Sequence, residues 1–263
     1  MKVIVIGGRG FLGEAITEGL DGEIYTLDRH KGGKHHYQRD IVQDDLSCLQ
    51  GFDIIINLVG LSPVTQPRQG YYPVHVEGVN NILENIDDQR LIHISALGAD
   101  SSSEIGYIRT KGIAEQRIRT NHDNHLIVRP SIIYDAGNEL ISILEKTAWL
   151  RFFPKIPMKT QPIHRDDVAE IIIEETGKKG TINVAGPKTY TFWEMAEIVK
   201  KSKGYKQINI PYPLFKPFMH LLRIIPWSGV TKDQLMSLEL DNTTTTYFAE
   251  GRNLTNFEEW INR

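Results

Sequence analysis

"VIVIGGRGFLG", residues 3–13, runs an apolar strand pattern straight into a cluster of glycines. Gly7, Gly10 and Gly13 stand at G-x-x-G-x-x-G spacing, and Gly8, Gly10 and Gly13 also satisfy G-x-G-x-x-G. A strand before such a turn and a helix after it are the context in which the motif means a diphosphate cradle. Gly7 lets the chain leave the strand sharply, a bare Gly10 admits the diphosphate, and Gly13 lets the helix pack on the strand. The first turn of that helix then offers free N–H groups and the positive end of its dipole. A tight turn with no ligand is the competing reading. It is outweighed by Asp28, which closes the second strand about 20 residues on, where a carboxylate accepts the hydroxyls of an adenosine ribose. The expected ligand is NAD or NADP. Asp28 repels a ribose 2′-phosphate and favours NAD, whereas Arg29 and Lys31 offer cations to that phosphate if Asp28 turns aside.

Outward from this turn, strands and helices alternate. Strands are expected at Lys2–Ile6, Glu23–Leu27, His36–Arg39, Asp53–Val59, Leu91–Ser95 and Leu126–Val128, with helices at Phe11–Leu20, His75–Ile86 and Gly106–Arg119 between them. "DIIINLV" is a continuous apolar run, as a strand covered on both faces requires. Alternation of this kind predicts an α/β fold, a Rossmann-type doubly wound parallel sheet. After Pro130 the rhythm changes. Helices are expected at Leu140–Leu150, Asp166–Glu175 and Phe192–Ser202, and strands at Thr181–Val184 and Gln207–Ile210. The expected organisation is a dinucleotide-binding domain over residues 1–135 and a smaller α/β substrate lobe over 136–263, with segment 161–176 returning to the sheet.

Bulk properties narrow the function classes. The 263 residues are 40% hydrophobic and 24% charged, with a net charge of −3, which gives no reason to expect nucleic acid or an anionic membrane as partner. No apolar run approaches the roughly 20 residues that span a bilayer. The N-terminus lacks the pattern of a secretory signal, and Cys48 is the single cysteine, so a reducing, cytoplasmic location is expected. The nine histidines form no metal-ligand pattern.

"YIRTK" sets Tyr107 and Lys111 four apart, on one face of a helix. An ammonium beside a phenol lowers the phenol's pKa from about 10 towards neutrality. Such a phenol exchanges a proton while hydride moves to or from a nicotinamide. Together with "GGRGFLG", "FDIIINLVG", "IHISALGAD", "RPSIIY", "QPIHRDDVAE", "INVAGP" and "TFWEMAEI", the pair resembles the short-chain dehydrogenase/reductase superfamily. The chain is most similar there to the atypical or extended branch, and to bacterial relatives of the dehydrogenase-like accessory subunit of respiratory complex I.

The resemblance implies that Gly7, Gly10, Phe11, Leu12 and Gly13 hold the diphosphate. It also implies that Asp40 and Ile41 meet the adenine edge and that Leu58, Val59 and Gly60 lie beneath the ribose. Pro130, Ser131 and Ile132 are then placed near the nicotinamide, Tyr107 as acid/base and Lys111 as its partner. Two departures stand out. Leu97 occupies the position where extended members place a Ser or Thr that polarises the reacting carbonyl, leaving Ser95 or Ser101–Ser103 as substitutes. Asp135 replaces the family's usual glycine after "RPSIIY".

Lesser features have plainer readings. In "HRDD" an aspartate is expected to cap the following helix. The apolar "PLFKPFMHLLRIIPW", residues 213–227, is expected to wall the substrate pocket rather than face lipid. Two functions follow. The first is an NAD(P)-dependent oxidoreductase or epimerase-like enzyme acting on a small carbonyl or hydroxyl substrate. The second is a dinucleotide-binding structural or sensory protein without turnover. Oligomeric state is left open by the sequence, and the resemblance implies that helices His75–Ile86 and Gly106–Arg119 could pair two subunits as a homodimer.

Overall fold

The computed structural model describes residues 1–62, 70–217, 232–246 and 251–263. Its first elements are β1 (Lys2–Ile6), α1 (Phe11–Gly19), β2 (Glu23–Asp28), β3 (His36–Gln38), β4 (Ile54–Asn57), α2 (Gly78–Glu84), β5 (Arg90–Ile94), α3 (Gly106–Asn121) and β6 (His125–Pro130). They are followed by β7 (Ile133–Tyr134), α4 (Glu139–Lys146), β8 (Phe152–Pro154), β9 (Lys159–Thr160), β10 (Ile163–His164), α5 (Arg165–Glu174) and β11 (Gly180–Val184). The remainder are β12 (Tyr190–Thr191), α6 (Phe192–Ser202), β13 (Ile208–Ile210), α7 (Lys232–Ser237) and α8 (Phe257–Ile261).

Seven strands pair in the order β11-β6-β5-β4-β1-β2-β3, every neighbour parallel. The expected doubly wound α/β sheet is therefore the fold. Its order reverses between β1 and β4, and in such sheets the crevice at the carboxyl ends beside that reversal is where ligands bind. Both faces are covered. Ile4, Ile6, Ile55, Leu91 and Ile127 pack with Val79, Ile82, Ala114 and Ile118 from α2 and α3. Across the sheet, α1 lies against α5 so closely that a Cβ at Gly19 would come 2.7 Å from Ile173 Cδ1.

Contacts divide the chain into two units. One comprises Met1–Pro130 with Arg165–Val184, and the other Ser131–His164 with Ala185–Arg263. In the second, β7–β10 and β8–β13 pair parallel and β12–β9 antiparallel. Its core gathers Tyr134, Ile141, Leu144, Tyr190, Met195, Val199 and Phe257. The helix expected over Leu140–Leu150 ends at Lys146, and α5 begins at Arg165, which puts Asp166 and Asp167 in its first turn rather than at its cap. Most of the 213–227 segment lies outside the described residues. No described helix is long and apolar enough to cross a membrane.

Candidate active site

The glycine turn is built by backbone hydrogen bonds. Gly7 N–H donates to Leu27 O at 2.8 Å and Gly10 N–H to Gly7 O at 3.0 Å, with Gly7 at φ +80°. A Cβ at Gly13 would strike the Gly7 carbonyl oxygen, and one at Gly8 would stand 2.6 Å from Thr26 Cγ2. Gly10 caps α1 without a side chain, so the N–H groups of Phe11, Leu12 and Gly13 keep no acceptor from the helix itself. The Arg165 guanidinium lies 5.6 Å from the Phe11 ring centroid and adds a cation near this first turn. That residue was not singled out from the sequence, because it comes from α5, over 150 positions away.

Asp28 closes β2. Its Oδ1 accepts the His30 N–H at 2.8 Å, while its Oδ2 is buried with no hydrogen-bond partner. An unpartnered buried carboxylate oxygen is costly, by about 1–3 kcal/mol or more for a charged group. A ribose diol supplies the missing donors, so this group fits a bound dinucleotide. Arg29 and Lys31 are exposed beside it. Asp40 Oδ1 accepts the Val42 N–H at 2.8 Å, and the Ile41 side chain is buried in the core against Gly78. Leu58 N–H donates to Ile6 O at 3.0 Å, Val59 N–H to Asn57 Oδ1 at 3.1 Å, and a Cβ on Gly60 would approach Lys111 Nζ to 3.0 Å. A side chain there would press on the Lys111 ammonium.

Lys111 is 4% exposed and its Nζ donates to Ile94 O at 2.8 Å. Burial pushes it down to about 8, opposed by Glu115. Tyr107 packs edge-on to Tyr71 and His75, with ring centroids 5.6 and 5.7 Å away. Burial pushes its phenol up to about 12, and Tyr71 adds to the rise. The expected lowering by Lys111 is therefore absent: desolvation dominates and the ammonium is spent on a carbonyl. The phenol stays protonated at neutral pH.

His75 was not singled out by the sequence reading. It sits in a single π-helical turn, Pro73–Glu77, and is 1% exposed. Its Nε2 accepts the Leu61 N–H at 3.0 Å, so the proton of the neutral ring is on Nδ1. Nδ1–H then donates to Thr110 Oγ1 at 2.9 Å, whose own proton goes to Gly106 O at 2.9 Å or Tyr107 O at 3.1 Å. One directed chain of hydrogen bonds thus ties the loop after β4 to the turn of α3 that carries Tyr107. Burial, then Lys111 and His93, push His75 down to about 2 and keep it neutral.

Deeper in the same cluster, Asn57 Nδ2 donates to His93 Nδ1 at 3.2 Å, which leaves the His93 proton on Nε2. That Nε2 and the Ser95 Oγ are buried without partners. Ser95 is 3% exposed just past β5, whereas the hydroxyls of Ser101, Ser102 and Ser103 are engaged with Gln116, Asp100 and the Ile105 N–H. Leu97 is buried. Pro130 O accepts the Leu97 N–H at 2.9 Å. Ser131 and Ile132 fall in the second unit, where Asn242 Oδ1 accepts from Ser131 Oγ at 2.6 Å and from Ile132 N–H at 3.2 Å.

No protein-family model matches the chain. By sequence it is 29% identical over 193 residues to the NADH-ubiquinone oxidoreductase 40 kDa subunit of Neurospora crassa, covering 70% of this chain and 51% of that one. It is 30% identical over 208 residues to NADH dehydrogenase [ubiquinone] 1 alpha subcomplex subunit 9 of Dictyostelium discoideum, covering 73% and 58%. A ceramide reductase of Caulobacter vibrioides is 25% identical over 235 residues, covering 80% of this chain and 74% of the relative. Among solved structures, dTDP-4-dehydrorhamnose reductase of Bacillus anthracis in complex with NADP superposes at TM-score 0.72 and 18% identity, covering 99% and 96%.

The Rossmann-type α/β fold is the one that this NADP-bound reductase also adopts. By sequence the chain is similar to the complex I accessory subunits, the resemblance that the motifs imply. It spans about half to three fifths of the length of those two relatives.

Proposed function

We propose that the chain binds NAD(P)H, with NADH preferred, and reduces a small carbonyl substrate, Tyr107 acting as the proton donor. The observation that carries the reading is geometric: the Tyr107 ring packs edge-on to His75, on the same helix that carries the buried Lys111. A raised phenol rests in the proton-bearing form, which is the form that carbonyl reduction consumes. When bound, the nicotinamide supplies hydride. Gly7–Gly13 and the bare start of α1 receive the diphosphate, and Asp28 Oδ2 receives a ribose hydroxyl. Lys111 and Gly60 sit where a nicotinamide ribose is expected, and Ser95 Oγ is a donor still without a partner. The similarity to a ceramide reductase supports a reductase activity.

The test is Tyr107→Phe. Wild-type protein is expected to bind NADH and to oxidise it with members of a carbonyl and quinone panel. The variant should bind NADH within about twofold and lose at least about a hundredfold in turnover. Absence of NADH and NADPH binding to folded protein at millimolar concentration overturns the proposal.

A second reading, cofactor binding without turnover, is favoured by Leu97 and by the complex I relatives. It predicts binding that survives alongside silence across the whole panel. Pairing of two chains through α2 and α3 belongs to the proposal, and light scattering decides it.

A further inference from the structure

The second unit carries a face that mixes exposed apolar and basic side chains. Trp149 is 63% exposed and Phe152 64%, with Leu150 and Arg151 also exposed between them. Strand pairing sets Phe152 opposite Ile208, itself exposed, and Ile208 N–H donates to Arg151 O at 2.7 Å. Lys200 Nζ donates to Leu150 O at 2.7 Å, and Lys203 meets Glu145 at 2.9 Å, so segments 143–155 and 201–208 form one continuous surface. Together these segments carry Lys146, Arg151, Lys155, Lys201, Lys203 and Lys206 against a single acid, Glu145, which is already ion-paired. A net charge of −3 over the whole chain conceals this local excess of positive charge.

We infer that this face docks on an anionic lipid bilayer, with Trp149, Leu150 and Phe152 entering the headgroup boundary. Exposed clusters of large apolar residues mark interaction surfaces. Their mixture with basic side chains selects the partner. Trp and Phe are favoured at the headgroup level, Arg151 and the lysines reach phosphates while their stems stay apolar, and each basic residue near an anionic leaflet strengthens binding by about fivefold. A nucleic acid would answer the charge and leave Leu150 and Ile208 in water. An acidic protein would answer the charge but not the exposed Trp149 and Phe152. The inference does not depend on the cofactor reading.

The experiment is vesicle flotation of the full chain with pure phosphatidylcholine vesicles and with mixed phosphatidylcholine–phosphatidylglycerol vesicles. Binding to the mixed vesicles is expected to be at least about tenfold stronger, and to weaken at high salt. Trp149→Ser with Phe152→Ser, and separately Arg151→Glu with Lys206→Glu, should each lower it at least about tenfold. All four side chains are exposed, so thermal melting and NADH affinity should match wild type in both variants. Wild type that stays at the bottom of the gradient overturns the inference. So do variants that float as well as wild type, or capture of a single-stranded DNA or polyglutamate probe in place of vesicles.

Discussion

Acidification should unfold this protein through His75. In the folded chain the ring sits at about 2, against an ordinary value of 6.5. Below pH 6.5 the unfolded chain takes up a proton that the folded chain refuses, so stability is complete above 6.5 and is lost as pH falls. One unit of difference is about 1.4 kcal/mol, so this histidine alone costs about 1.4 kcal/mol at pH 5.5 and roughly 2.7 kcal/mol at pH 4.5. The structural cause is definite. A proton on Nε2 would face the Leu61 N–H, which is itself a donor, and would break the hydrogen-bonded chain at its first link. His75→Gln removes the titration. The variant should be about 1–3 kcal/mol less stable than wild type at pH 7.5, having lost part of a buried hydrogen-bond pair. Urea unfolding at pH 7.5, 5.5 and 4.5 reads the gap between the two proteins, which should narrow by the amounts above. A gap that stays constant over that range refutes the reasoning. So does a nitrogen chemical shift that places the His75 proton on Nε2.

Three other expectations concern separate parts of the site. Gly10→Ala would set a Cβ 3.2 Å from Gly7 O, a tight contact that a shift of a few tenths of an ångström in the turn relieves, and should bind NADH at least about tenfold more weakly by calorimetry. Asp28→Asn should weaken NADH by roughly ten- to a hundredfold, the loss of a charge-assisted hydrogen bond, and NADPH by less; equal losses for both would count against a ribose contact. Glu115 is fully buried and its carboxylate takes Arg129 Nε at 2.7 Å and Arg119 Nη2 at 2.6 Å. Glu115→Gln should therefore destabilise by about 3–5 kcal/mol in thermal or urea melts, and a cost under about 1 kcal/mol would show the network to be dispensable.

What could be read in advance was whatever repeats or must be bare. The runs in β1 and β4 are continuous and apolar because helices cover both faces of the sheet, and Gly13 shows in the sequence because nothing larger clears Gly7 O. The two-residue strands β7, β9 and β12 carry no period and leave no signal in the sequence. The helix extended to Leu150 failed for a different reason: Trp149 and Leu150 continue its apolar pattern while facing water, so periodicity mistook a surface patch for a buried stripe. The tyrosine–lysine spacing was legible and its electrostatics were not. Four residues of separation fix a shared helix face. They do not reveal that Ile94 O takes the ammonium and that burial governs the phenol. His75 depends on a π turn and on partners at Leu61 and Thr110, which no local pattern announces.

The sheet-bearing unit is discontinuous, its last strand and α5 arriving after a long excursion into the other unit. During synthesis, β6 must therefore wait as a bare edge until Val184 has left the ribosome, with the flank of α1 uncovered for as long. A fragment stopped near residue 135 would keep every glycine of the opening turn and still be sticky and short-lived. Proteases and chaperones would meet this chain chiefly in that interval.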